Sequence, residues 1–272
     1  MRRFVAQAHG ALIGQVPWSG QVLSLHPRAV NILRADGLAV SIVADRAAMS
    51  AMGVLSNELF EPPLETTLVD MPVRMEQGLI SFGDFISLDC AKSLPWEGCI
   101  DLAAVPLMTV ERIHAICAAL FEWGKPGGLL GVLRNDPPEN PFVTWARDSL
   151  RHGRAEDLVG SGPGLTPAGD DFLTGAMLAS SESDILDRAR LERALAGTTP
   201  LGRTLLWMAM QRRFPAYLVD FLDVIAGTGT SRDEIDDAVC AACAHGETSG
   251  TDALTGYCWR MLMTGWRIPA TT

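Results

Sequence analysis

The sequence predicts an α+β protein, with an antiparallel β-rich, barrel- or sandwich-like region over residues 1–105 and a mostly α-helical region over 106–272. Two observations predict it. Up to about Val105 the chain runs in short, alternating, β-branched apolar stretches separated by turn dipeptides. After Pro106 the apolar residues recur three and four apart, as on the buried faces of helices. Of 272 residues, 48% are hydrophobic and 20% charged, enough for one large or two medium-sized cores.

In the first region the strand-like runs are "QVLSLH", "AVNIL", "LAVSIVA", "TLVDMPVRM", "LISFGDFISLD" and "GCIDLA". Asp36-Gly37, Pro62-Pro63, Gln77-Gly78 and Glu97-Gly98 punctuate them as turns. "DRAAMSAMGVLSNELF" fits a helix or a strand pair equally well. In the second region, "TVERIHAICAALFEWG", "NPFVTWARDSLRHG", "DILDRARLERALAG", "PLGRTLLWMAMQRRF", "PAYLVDFLDVIAG" and "SRDEIDDAVCAACAHG" read as helices. Ser231 and Glu234 form a capping box, and Gly197, Gly227 and Gly246 stand where helices end. "KPGGLLG" is a loop but not a P-loop, because its lysine precedes the glycines.

The formal net charge of -10 and pI near 4.9 argue against a nucleic-acid partner, which needs a cationic surface. Polar residues and glycines interrupt the first twenty residues where a signal peptide needs an apolar run, and no uncharged stretch reaches bilayer length. A cytoplasmic protein is expected. The six cysteines are read as reduced thiols rather than a disulfide framework. Cys240 and Cys243 share a helix face and lack the second ligand pair of a closed zinc site.

The chemistry-bearing feature is a doubled loop. Residues 164–175 read "GLTPAGDDFLTG" and residues 246–256 read "GETSGTDALTG"; both end D-x-L-T-G after a glycine- and threonine-bearing stretch. Each precedes an apolar segment, which places the loop at a helix N-terminus, where free N–H groups and the positive dipole end lie. Two uses fit. The N–H groups hold a phosphate or carboxylate, with the glycines letting the backbone approach; or Asp170, Asp171 and Asp252 simply cap their helices.

A single cap needs no run of four glycines, yet residues 160–171 contain Gly160, Gly162, Gly164 and Gly169. Two helix N-termini lining a common anion site are therefore expected. Gly162, Gly164, Thr166, Gly169, Thr248, Ser249 and Gly250 are the expected substrate-binding residues. Asp170, Asp171, His245 and Asp252 are the expected catalytic ones, with His245 as a proton carrier near neutral pH or a helix-end dipole partner. No metal centre is expected with certainty; if Mg2+ is used, Asp170, Asp171 and Asp252 would offset its charge together with an anion's oxygens.

The run G-x-G-P-G-L-T-P-x-G-D-D at 160–171 resembles the AllH-type oxamate carbamoyltransferase subunit family, and the G-x-[ST]-S-G-x-D-x-L-x-G run at 246–256 is similar to a second feature of that family. "TTPLGRTLLWMA" and "SLHPRAVNI" are similar to weaker blocks of it. The resemblance implies a subunit that works with two other proteins of allantoin catabolism, one of them similar to acyl-CoA synthetases. Together they would interconvert oxalurate plus phosphate with oxamate plus carbamoyl phosphate. No residue roles come with the resemblance, so the site expectation rests on the doubled loop. A non-catalytic scaffold subunit, and a Mg-dependent, carboxylase-like enzyme acting on another small carboxylate or phosphate, are the alternatives.

Overall fold

The computed structural model describes residues 2–14, 16–61, 68–100, 108–134, 140–179 and 187–263. The chain divides into two compact units, one of Met1–Cys99 with Arg213–Ala216, the other of Ile100–Arg212 with Tyr217–Thr272. The turn expected at Pro62-Pro63 and the domain boundary expected at Pro106 lie outside the described residues.

The first unit is one ten-stranded sheet built from β1 (Arg2–Val5), β2 (Ala8–Gly10), β3 (Trp18–His26), β4 (Ala29–Arg34), β5 (Ala39–Val43), β6 (Gly53–Leu55), β7 (Pro72–Glu76), β8 (Leu79–Phe82), β9 (Ile86–Asp89) and β10 (Leu94–Trp96). Their order is β1-β9-β8-β7-β3-β4-β5-β6-β2-β10. The local hairpins are antiparallel, and Gln77-Gly78 joins β7 to β8 with both residues at positive φ (50° and 80°), the tight hairpin turn that matches strand twist.

The sheet is mixed rather than purely antiparallel, because β1 on β9, β5 on β6 and β10 on β2 are parallel pairs. Alternating polarity sets which face a strand buries, not the direction of its neighbour. The segment 2–10 explains the curl: Ala6 N–H donates to the Asp89 carbonyl and the next residue, Gln7, to that of Leu55, so adjacent residues bond to strands far apart in the sheet order. The concave core takes Val22, Val30, Ile32, Val40, Ile42, Val54, Val73, Ile80 and Leu88. The stretch read as a helix or strand pair is neither; β6 is flanked by two single 3-10 turns, Arg46–Ala48 and Glu58–Phe60.

The second unit holds α1 (Val110–Trp123), α2 (Pro141–Arg151), α3 (Ala168–Leu178), α4 (Arg188–Ala194), α5 (Pro200–Ala209), α6 (Ala216–Ala226, its first residue counted with the first unit), α7 (Arg232–Cys243) and α8 (Ser249–Met263). Thr109, Asn140, Asp187, Thr199 and Ser231 cap α1, α2, α4, α5 and α7 through their side chains, the last as the expected capping box. All six cysteines are free thiols. No described helix is long and apolar enough to cross a membrane.

Candidate functional site

The doubled sequence is a doubled structure. Offsetting the first copy by 81 positions pairs Gly169 with Gly250, Asp171 with Asp252, Leu173 with Leu254, Thr174 with Thr255 and Gly175 with Gly256. These fall on α3 and α8, which pack on each other reciprocally. A Cβ on Gly175 would collide with the Ala253 carbonyl oxygen, and a Cβ on Gly256 with that of Phe172. Gly169 and Gly250 repeat the device six residues earlier, against the carbonyls of Leu158 and Ala242. Only glycine admits such approaches of backbone to backbone.

The threonines match as well. Thr174 Oγ1 donates to the Asp170 carbonyl and Thr255 Oγ1 to that of Thr251, at 2.8 and 2.7 Å. Leu173 and Leu254 are both fully buried. So the L-T-G of each copy, with Gly169 and Gly250, builds the helix pair; the N–H groups of these two glycines are already donated to Ser161 and His245 carbonyls. What the pair positions is the start of both helices. There the loops meet, with Thr166 Oγ1 3.2 Å from Ser249 Oγ.

The three aspartates differ in their surroundings. Asp170 is fully buried with both oxygens engaged, one by the Gly160 N–H at 2.8 Å and the other by the Thr198 hydroxyl. It ties the glycine loop and the start of α5 to α3, and Gly202 leaves the room that its carboxylate fills. Burial nevertheless raises its pKa, against the pull of Thr198 and Gly160.

Asp171 and Asp252 occupy equivalent positions, 2% and 0% exposed. Asp252 Oδ1 accepts from the Leu129 N–H at 2.5 Å, while its Oδ2 and the Oδ2 of Asp171 are buried without a hydrogen-bond partner. Burial pushes Asp252 up to about 6, opposed by the Leu129 N–H and the Thr248 hydroxyl. Asp171 is driven well above the carboxylate range, first by burial and then by repulsion from Asp252 and Asp170, with the Ser249 and Thr166 hydroxyls pulling the other way. The buried Tyr217 hydroxyl is raised too, by burial and by the charges of Asp171 and Asp252.

The glycine loop leads into α3. Gly160, Gly162 and Gly164 hold φ of 72°, 103° and 101°, a region ordinary residues rarely adopt, and residues 162–165 are exposed. His245 is half-buried and stacks on Tyr217, ring centroids 4.2 Å apart at 14°.

Two segments belong to the site although the sequence reading did not assign them to it. In "KPGGLLG", Lys125 N–H donates to Thr251 Oγ1, its Nζ to the carbonyls of Ala244 and Gly246, and Gly128 abuts the Asp252 carboxylate so closely that a Cβ would strike both oxygens. In "TTPLGR", Thr198 and Gly202 enclose Asp170. A partial signal was there: "KPGGLLG" carries adjacent glycines in a loop, and "TTPLGR" places threonines and a glycine at the start of a helix, as the doubled motif does.

Residues 158–261 match the model of the family described as oxamate carbamoyltransferase subunit AllH. The match runs from the glycine loop through α8 and supports the family expected from that run. No curated protein and no solved structure matches the chain.

Proposed function

We propose that this chain is a subunit of a cytoplasmic oxamate carbamoyltransferase complex of allantoin catabolism, and that its helical unit holds a small anionic reactant where the two loops meet. The observation that carries the reading is the 3.2 Å approach of Thr166 to Ser249 at the start of two glycine-packed helices. Two positive dipole ends, hydroxyl donors and a glycine backbone in the left-handed region together favour an anion. Carbamoyl phosphate, oxamate and oxalurate all present phosphate or carboxylate oxygens to such a cradle.

In the transfer, the oxamate amide nitrogen attacks the carbamoyl carbon, phosphate leaves with the C–O bonding pair, and the nitrogen gives up a proton. The protein's part is to hold the reactants at bonding distance and to place donors where negative charge grows. Gly162, Gly164, Thr166, Thr248 and Ser249 are assigned to binding. His245 is assigned to proton handling, and the Asp171 and Asp252 pair, whose carboxyl pKa values burial raises, to the electrostatics of the site. Asp170 fixes the loop. The other subunits, one of them acyl-CoA-synthetase-like, complete the site.

A test is calorimetry of the assembled complex with carbamoyl phosphate and with oxamate, on the wild type and on a T166V/S249A double variant. We expect at least tenfold weaker binding with assembly intact. Unchanged affinity and turnover in a folded, assembled double variant would leave the scaffold reading in its place.

A further inference from the structure

The anion cradle leaves one feature unexplained. Asp171 and Asp252 each keep a buried carboxylate oxygen with no donor, in surroundings where an unpaired polar atom costs about 1–3 kcal/mol, and more if charged. Among the described residues, no salt bridge reaches either carboxylate. The nearby lysine, Lys125, turns its Nζ to the Ala244 and Gly246 carbonyls instead. The arrangement is also a matched one, because both residues stand at the same position of equivalent helices that the Gly175 and Gly256 contacts lock together.

We propose that Asp171 and Asp252 jointly bind one hard divalent cation, Mg2+ or Mn2+, through their unpartnered oxygens. The two carboxylates supply one ligand oxygen each. Thr166 and Ser249, whose hydroxyls lie 3.2 Å apart where the two helices start, stand ready to contribute or to orient a water. No group of three or more His, Cys, Asp or Glu side chains is placed for a metal among the described residues. Two carboxylates are nevertheless enough for a magnesium-type ion, which keeps several waters, takes one or two carboxylates and fills the remaining positions with substrate oxygens. The all-oxygen set excludes a thiolate-loving metal.

The proposal also resolves a conflict of charge. Two carboxylates behind an anion cradle repel the anion, and a divalent ion between them converts that repulsion into attraction. It reaches beyond the carbamoyl-transfer reading and does not depend on it, since the cation would bind with or without that substrate.

The test is titration of the full-length chain, stripped with EDTA and desalted, with Mn2+ followed by electron paramagnetic resonance, and with Mg2+ as competitor. We expect one saturable site per chain that Mg2+ displaces, and a rise in the melting temperature of the wild type with Mn2+. D171N and D252N each weaken Mn2+ at least tenfold, while E247Q, which removes an exposed carboxylate from the same loop, leaves it unchanged. G128A keeps both carboxylates but drives a methyl into that of Asp252, and should show the same loss, so the conclusion does not hang on one variant. A wild type without a saturable site below the millimolar range, or folded D171N and D252N proteins that bind as the wild type does, overturns the cation. Carbamoyl phosphate calorimetry repeated in EDTA reads the anion site separately, so either reading can fall while the other stands.

Discussion

Gly175 and Gly256 are mirror partners in one helix contact, each pressing its bare Cα on a carbonyl oxygen of the opposite helix one residue past the paired aspartate. An alanine at either place has nowhere to go, because the obstacle is backbone in the middle of a helix rather than a flexible side-chain end.

Helix propensity alone makes Gly→Ala favourable by about 1 kcal/mol, whereas overpacking a tight core costs about 1–3 kcal/mol. With backbone as the obstacle, the second effect prevails. G175A and G256A should each lose on the order of 2 kcal/mol in urea unfolding. G197A, where a Cβ meets nothing within 4 Å, should be neutral or slightly stabilising. Equal stability of all three would show that the two helices do not pack as described.

The buried carboxyl pair predicts an unusual dependence of stability on pH. Asp252 rises from 3.8 to about 6 on folding, and Asp171 moves in the same direction. An acid with a raised folded pKa lets the native state bind more protons than the unfolded one. Its contribution is therefore fully present below pH 4 and is lost as pH climbs through 6. For Asp252 the loss amounts to about 3 kcal/mol at 1.36 kcal/mol per unit. In EDTA, D252N should be more stable than wild type by about that much at pH 7.5 and by little at pH 4. Asp89, Glu111 and Glu234, whose pKa values are lowered, act in the opposite sense but equally in both proteins. A D252N effect that is the same at both pH values would refute the assignment.

How much of this was legible follows from what each signal encodes. Periodicity reports burial of one face, so α1, α2, α4, α5, α6, α7 and the hairpin strands could be read from it, α3 and α8 were marked only as the apolar segments after the doubled loop, and Gln77-Gly78 announced its own turn. Direction of pairing leaves no trace in a strand of three residues, which is why the parallel partners of β2 and β6 were not foreseen. The doubled loop was visible as a pattern. Its division of labour was not: that Gly169, Gly175, Gly250 and Gly256 serve helix packing, while Asp170 differs from Asp171, depends on residues such as Thr198, Gly202 and Gly128 that lie far away in sequence.

Lys125 is the clearest of these distant residues and carries the last prediction. Its ammonium group binds the Ala244 carbonyl just past the end of α7 and the Gly246 carbonyl, at 3.1 and 2.7 Å, while its backbone N–H holds Thr251. A cation there complements the negative end of the α7 dipole, worth about 0.3–1 kcal/mol when exposed, and each charged hydrogen bond adds about 1.5–3 kcal/mol at most. Half-exposure and solvent competition reduce these sums, so K125M should cost about 1–2 kcal/mol. The backbone bond to Thr251 survives in that variant, so the loss should centre on residues 244–249. Hydrogen exchange would show faster exchange of the amides there, with α1 and the β-sheet unaffected. If exchange instead rose across the whole helical unit, Lys125 would be supporting the fold at large rather than the second loop of the site.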